Sequence, residues 1–124
     1  KIDGNDVYIN ELTNVIGSNA FGEGYDDDNE ELKPFTIRIP SACVGVNSRS
    51  FLSKSIKAFV VDEDNKSFKS DGDCLYSRNG DTLVCYPRAK TDERFVVNEL
   101  VETISENAIH GNPYIKSLDL WRMN

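Results

Sequence analysis

One phrase occurs twice in this chain, at residues 9–21 (INELTNVIGSNAF) and again at residues 97–109 (VNELVETISENAI). Six of the thirteen positions are identical, and two more exchange one apolar residue for another. Such self-similarity is the sequence signature of a repeat protein, in which one unit buries its apolar face only against its neighbours. The repetition therefore constrains the fold more than any other feature of the chain.

The repeat has a basic period of 22 or 23 residues. Its marker is an apolar residue that closes a short β-rich run. Two insertions lengthen the other intervals: an acidic segment near residues 23–31, and residues 71–87 (DGDCLYSRNGDTLVCYP). A period of this length is typical of leucine-rich repeats, at roughly 20–29 residues. We expect the markers to stack in one column, with like strands parallel. The markers are Ile9, Ile39, Val61, Val97 and Leu120.

Each unit divides into a strand and a compact turn. Residues 35–39 (FTIRI) alternate between apolar and polar, and this period of two predicts a half-buried strand. The turn half carries a small residue followed by a bulky one, as in Ala20-Phe21, Ser50-Phe51 and Ala108-Ile109. The sequence predicts a single domain over residues 1–124. We expect a leucine-rich-repeat-like, β-rich solenoid (α+β, right-handed superhelix) of four to five irregular units with an inserted β-hairpin.

The repeat resembles that of the BspA-like leucine-rich-repeat proteins, which reads about L-x-x-I-x-I-P-x-x-V-x-x-I-G-x-x-A-F. FTIRIP at 35–40, VIGSNAF at 15–21 and LVETISENAI at 100–109 carry the likeness. Residues 71–87 also resemble an inserted hairpin of that family, of the form D-G-x-L-Y…T-L-x-x-Y-P. Departures from the pattern predict irregular coils; they fall at Asn10, Asn98, Ile109 and Trp121.

The resemblance implies a secreted or cell-surface bacterial protein that binds other proteins. Members of the family are associated with adhesion to host matrix proteins, host cells or other microbes, and no catalytic residue or cofactor comes with them. No export segment opens this chain, so an extracellular or cell-surface location is expected from the resemblance alone. Two other functions stay open: spacer coils of a longer array, because both ends stop in mid-pattern, and a glycan-binding module.

Strand alternation places one row of side chains outward, directly before each marker. In a solenoid such a row forms a broad, slightly curved face, which is the usual place for recognition. Tyrosine, tryptophan and arginine are common interface anchors, and exposed valines would add apolar surface beside them. The alternative is an ordinary solvated sheet surface, with the tryptophan as an end cap. The candidate binding residues are Tyr8, Arg38, Val60, Val96, Asp119 and Trp121.

The distribution of charge argues against nucleic acid as a partner. The formal net charge is −7, and six of the 21 acidic residues fall in residues 23–31. Phosphate binding needs clustered Lys and Arg, which this chain lacks. Residues 23–31 and 62–73 (DEDNKSFKSDGD) lack the spacing of a calcium loop, so we expect solvated loops there. No apolar run reaches the roughly 20 residues that span a bilayer.

The cysteines leave two interpretations open. Asn79-Gly80 predicts a two-residue type I′ turn, which would pair Tyr76 with Leu83 and Cys74 with Cys85. The two cysteines would then face each other at a hydrogen-bonded pair, where the strands are more widely separated. That geometry permits either buried free thiols or a Cys74–Cys85 disulfide.

A catalytic function has little support in the sequence. His110 is the only histidine and lies in a turn next to Gly111, so we expect a surface residue rather than the base of a nucleophilic site. The sequence contains no phosphate-binding glycine loop and no metal-ligand triad. We therefore expect a non-catalytic protein without metal or cofactor.

Overall fold

The computed structural model describes residues 6–18, 20–21, 33–47 and 49–120, and these contain strands and turns but no helix. Short strands of two to six residues are expected in a repeat protein, because each unit adds one strand to the sheet and the chain then turns. The strands are β1 (Asp6–Tyr8), β2 (Val15–Ile16), β3 (Phe35–Ile39), β4 (Gly45–Val46), β5 (Ile56–Val61), β6 (Phe68–Asp71), β7 (Cys74–Ser77), β8 (Thr82–Cys85), β9 (Arg94–Val97), β10 (Thr103–Ile104) and β11 (Ser117–Leu120).

The first three units stack as a parallel sheet in the order β1-β3-β5. Ile39 lies opposite Val61, and the backbone N–H of Ile9 donates to the carbonyl of Arg38 at 3.1 Å, so the first three markers are neighbours. The alternation of β3 places Phe35, Ile37 and Ile39 inside, each at most 2% exposed. The predicted parallel pairing and inward-facing markers are confirmed for this sheet.

The turn halves of the first two units form a second line of contacts. Strand β2 pairs parallel with β4, and Phe21 forms an isolated parallel bridge with Phe51. The two phenylalanine rings stack with centroids 6.2 Å apart, and the buried Ser50 hydroxyl donates to the carbonyl of Ile16 at 2.9 Å. The small residue of the small-then-bulky pair therefore fits against the neighbouring unit, while the bulky residue fills the core.

The single marker column predicted from the sequence is interrupted. Val97 lies opposite Leu120 in a separate parallel pair of β9 and β11, and no strand pairing joins that pair to β5. Residues between the two stacks form an antiparallel meander instead, which joins a four-stranded sheet in the order β10-β8-β7-β6. The prediction of one continuous column was wrong between Val61 and Val97, because the inserted strands occupy that interval.

The inserted meander is buried on both faces. Leu75 and Cys85 pack in a first core with β3 and β5, whereas Cys74, Tyr76 and Leu83 pack in a second core with β9. Leu75 and Leu83 are both 0% exposed. A hairpin attached to the surface would leave one face in water, so the insertion is better described as an internal partition between two apolar cores.

The tight turn of the meander lies elsewhere than the sequence predicted. Gly72 and Asp73 have φ angles of 55° and 71° and join directly paired Asp71 and Cys74, as a type I′ turn requires. Asn79 does not share the positive φ of Gly80 (81°), and the loop there spans residues 78–81. Polar side chains close that loop, since the Ser77 hydroxyl accepts the N–H of Thr82 at 3.0 Å. The predicted type I′ turn at Asn79-Gly80 was wrong.

The segment at 62–73 is more ordered than a solvated loop, because it contains a buried asparagine and strand β6. Asn65 is 1% exposed, and its amide nitrogen donates to the carbonyls of Pro40 and Cys43 at 2.8 and 2.9 Å. Its side-chain oxygen accepts the backbone N–H groups of Ser67 and Phe68, each at 2.7 Å. One side chain therefore satisfies four backbone groups and ties its own unit to the preceding one.

The same bridge recurs at Asn112. Its amide nitrogen donates to the carbonyls of Pro87 and Lys90 at 2.8 and 3.0 Å, and its oxygen accepts the N–H groups of Tyr114 and Ile115. In both bridges the accepting carbonyls lie 25 and 22 residues before the asparagine, close to one repeat period. These side chains are thus part of the periodic structure.

Replacing Asn65 by alanine should lower the free energy of unfolding by about 2–4 kcal/mol, because it leaves buried carbonyl and N–H groups without partners. Asn98→Ala is the matched control: Asn98 also accepts an N–H two residues ahead, from Leu100 at 2.8 Å, but is exposed. The control should lose less than about 1 kcal/mol. Urea denaturation measures both values, and equal losses would contradict the bridging role.

Candidate functional site

Three of the predicted outward residues are direct neighbours on the first sheet. Tyr8 lies opposite Arg38, and Arg38 lies opposite Val60, on strands β1, β3 and β5. Tyr8 is 45% exposed and Val60 37%, and the Arg38 side chain is 41% exposed. The structure therefore brings these three into one surface, which we call the strand row.

The other predicted residues do not join the strand row. Val96 lies opposite Asp119 on the second parallel pair, separated from the first sheet by the meander. The Asp119 carboxylate accepts two hydrogen bonds from Arg94, at 2.6 Å from Nη2 and 3.1 Å from Nε, so it is already paired with a cation. Trp121 and the acidic segment at 23–31 lie outside the described residues.

Arg38 is held in place by two partners. Its Nε donates to the Asp6 carboxylate at 2.7 Å, and its guanidinium carbon lies 5.4 Å from the centre of the Tyr8 ring. A cation over an aromatic face at an exposed site contributes about 0.5–1 kcal/mol, and the ion pair adds a similar amount. The middle of the strand row is thus ordered before any partner arrives, which lowers the entropy that binding must overcome.

A shallow depression of about 250 Å³ lies beside the strand row, where β1, β3 and β5 end. Its wall combines an aromatic ring, aliphatic side chains, the paired arginine and two carboxylates. These carboxylates are not among the predicted binding residues, because strand alternation indicates only the residue before each marker. Asp62 directly follows Val61, and Glu11 follows Ile9 by two positions. The lining residues are Tyr8, Ile9, Glu11, Arg38, Ile39, Pro40, Val60 and Asp62.

The predicted direct opposition of Cys74 and Cys85 does not occur. Cys85 lies opposite Leu75, because a bulge shifts the register between Leu75 and Tyr76. The shift turns Cys85 into the first core and leaves Cys74 in the second, and all three cysteines of the chain are free and buried. The structure thus has the free-thiol arrangement of the two that the sequence left open.

Burial makes these thiols weak acids. It raises the pKa of the Cys85 thiol from its ordinary 9.0 to about 12. It also raises the pKa of the Cys74 thiol to about 12, although the positive charge of Lys90 acts to lower that pKa. Burial also raises the pKa of Cys43, although a hydrogen bond with the Gly45 backbone acts in the other direction. Because the thiolate is the reactive form, these cysteines are suited to packing rather than to nucleophilic chemistry.

His110 lies exposed in a turn, where its backbone N–H donates to the carbonyl of Asn107. Within the described ranges, no cysteine or serine side chain forms a hydrogen bond with its ring. In that same part of the chain, no three His, Cys, Asp or Glu side chains converge as a metal site would require. The described segments also include no helix with the length and apolar character needed to cross a membrane.

In the native protein at about pH 8, none of the three thiols should react with a thiol reagent within minutes. A pKa near 12 leaves only about one in ten thousand of the Cys74 and Cys85 thiols as thiolate at that pH, and burial blocks access to all three cysteines. After unfolding in guanidinium without reductant, all three should react. A single reactive thiol in the unfolded chain would instead reveal a Cys74–Cys85 disulfide.

No protein-family model matches the chain, and no curated protein matches it in sequence. Solved structures of bacterial proteins, including a leucine-rich repeat protein, are similar to most of it. One, from Eubacterium ventriosum ATCC 27560, has a TM-score of 0.76 and 20% identity, over 94% of this chain and 29% of its own. The pneumococcal vaccine antigen PcpA has a TM-score of 0.71 and 22% identity, over 92% of this chain and 33% of its own.

A leucine-rich cell surface protein from Faecalibacterium prausnitzii A2-165 is also similar, with a TM-score of 0.62 and 16% identity, over 94% of this chain and 41% of its own. This chain therefore spans between 29% and 41% of the length of the three structures. At such low identities the likeness concerns the fold, and it agrees with the resemblance found in the repeat. The chain has the fold of bacterial leucine-rich repeat proteins.

Proposed function

We propose that the chain is a non-catalytic binding module that uses the strand row, Tyr8, Arg38 and Val60, to bind another protein. The observation that carries the proposal is the adjacency of an exposed tyrosine, a pre-ordered arginine and an exposed valine on three parallel strands. Tyrosine and arginine are enriched among the residues that dominate binding energy at interfaces. An open, gently curved sheet face is also the surface that repeat proteins commonly use.

The architecture belongs to the same proposal. We infer an irregular solenoid of four to five units, in which the meander separates a first stack of three strands from a second stack of two. Parallel pairing within each stack and the two asparagine bridges, spaced by about one repeat period, support it. Repeat proteins of this kind present like strands on one face of the solenoid. The three side chains of the strand row therefore point outward on the same face.

The cellular setting of the proposal is the bacterial surface or the extracellular space. One structural neighbour is described as a cell surface protein and another as a vaccine antigen, and both support an exposed location. The partner we propose is a host extracellular-matrix or cell-surface protein, so that the module mediates adhesion. Glycan is the alternative ligand for the same surface.

A second candidate is a structural spacer within a longer array. It is favoured by one observation: the similar structures are about two to three times as long as this chain. In a spacer the strand row contacts only water, and substitutions in it leave binding by the whole protein unchanged. The spacer and the binding module thus differ in a measurable way.

The test measures the affinity of the chain for a panel of immobilised extracellular-matrix proteins and a glycan array. Tyr8→Ala/Val60→Ser should weaken binding to the matched partner at least about tenfold, since losing an interface anchor such as Tyr8 costs roughly 1.4 kcal/mol or more. Val15→Ser/Val44→Ser replaces two exposed valines outside the strand row and should bind as the wild type does.

Thermal unfolding of both variants should stay close to that of the wild type, because all four side chains are at least 37% exposed. Equal affinity of the wild type and the strand-row variant would remove this face as the binding surface. No binding by the wild type to any member of the panel would favour the spacer.

A further inference from the structure

The depression at the end of the first sheet has the composition of a pocket for a long cationic side chain. It combines an aromatic ring and an aliphatic side chain, from Tyr8 and Val60, with the carboxylates of Glu11 and Asp62. Lysine and arginine place hydrocarbon along apolar surface while keeping their charge at a polar edge. The apolar surface of Tyr8 and Val60 matches the hydrocarbon of such a side chain, and the two carboxylates match its charge.

The charge at the depression is unbalanced. Among the described residues, Arg38 is the only cation that lines it, and its guanidinium is already paired with Asp6. Glu11 and Asp62 take part in none of the salt bridges of the described residues. The exposed Glu63 and Asp64 follow Asp62 directly in the chain and add two further acidic residues there. An opposite charge on a partner is therefore the complement that this edge lacks.

The positions of the two carboxylates favour a side chain over a small metal ion. Glu11 follows β1 and Asp62 follows β5, and these strands flank β3, so their ends are about 10 Å apart. Calcium requires oxygen ligands within about 2.6 Å on several sides. One of the Asp62 oxygens also accepts the N–H of Asp64 at 2.9 Å, which fixes that carboxylate at the rim.

We propose that this depression binds the side chain of a lysine or arginine from a protein partner, with its hydrocarbon stem against the apolar surface of Tyr8 and Val60 and its charge attracted by the carboxylates of Glu11 and Asp62. The proposal rests on the proposed function and names the chemistry of the partner at the same surface. The acidic net charge of −7 further attracts a basic partner at long range, and salt weakens that attraction.

The experiment follows the amide signals of ¹⁵N-labelled protein by NMR during titration with N-acetyl-lysine N′-methylamide. The matched probe is N-acetyl-norleucine N′-methylamide, which has the same hydrocarbon stem without the charge. The lysine probe should cause saturable shifts at Tyr8, Val60 and Asp62 and bind at least about threefold more tightly than the norleucine probe. An arginine probe of the same type should behave like the lysine probe.

Glu11→Gln/Asp62→Asn should reduce binding of the lysine probe to the level of the norleucine probe. Both substitutions keep the shape of the side chain, and the amide oxygen of the new residue 62 still accepts the N–H of Asp64. Glu99→Gln/Glu102→Gln removes the same amount of charge from exposed positions elsewhere and should leave binding unchanged. Glu99 is the appropriate control because it occupies the place of Glu11 in the repeated phrase.

Three results would overturn the proposal: equal affinity for the lysine and norleucine probes, equal weakening by both double variants, or no shifts at the depression. Each of these results can be distinguished from a failure of the proposed function. If the strand-row variant still loses its protein partner while the lysine probe fails, only the pocket chemistry is wrong. If the strand-row variant binds the partner as the wild type does, the proposed function fails instead.

Discussion

Burial of strand β7 on both faces is the constraint on which the rest of this structure depends. Leu75 faces the first core and Cys74 and Tyr76 face the second, and none of the three is more than 7% exposed. A short stack of two or three parallel strands has open ends that expose apolar side chains. The meander covers the end of the first stack with one face and supplies a wall to the second with the other, so the two cores form around a shared partition.

The partition also determines the extent of the candidate site. Because β5 is followed by the meander rather than by another parallel strand, the strand row ends at Val60 and comprises three residues. Val96 and Asp119 belong to a different surface, where Arg94 already neutralises the aspartate. The depression forms where the three strands of the first sheet end, and its carboxylates come from the residues that follow the markers.

The sequence predicted what depends on period and alternation. Parallel pairing of like strands, the inward markers Ile39 and Val61 and the adjacency of Tyr8, Arg38 and Val60 all follow from apolar spacing. It did not predict features that change when two paired strands shift by one residue, or features that depend on local backbone geometry. A single bulge moved Cys85 away from Cys74, and the type I′ turn formed at Gly72-Asp73 rather than at Asn79-Gly80.

The asparagine bridges escaped prediction for a different reason. Asn65 lies in a charged stretch whose composition predicts a solvated loop, and Asn112 lies among turn residues. Composition therefore does not indicate that either side-chain amide forms hydrogen bonds with the preceding unit. Their periodic role becomes visible only in the structure, where both asparagines have the same sequence spacing from the carbonyls that accept their hydrogen bonds. Likewise, Glu11 and Asp62 became candidates only when the ends of three strands were seen to meet.

Native-state hydrogen exchange of the meander tests the central claim most directly. If β7 and β8 form the wall between two cores, the amide protons of Leu75, Tyr76 and Leu83 exchange only through global unfolding. Their opening free energies then equal that of Ile37 in the centre of β3. Exchange of these amides through a separate opening of lower free energy, with Ile37 still protected, would show that the insertion is an attached hairpin and would contradict the account.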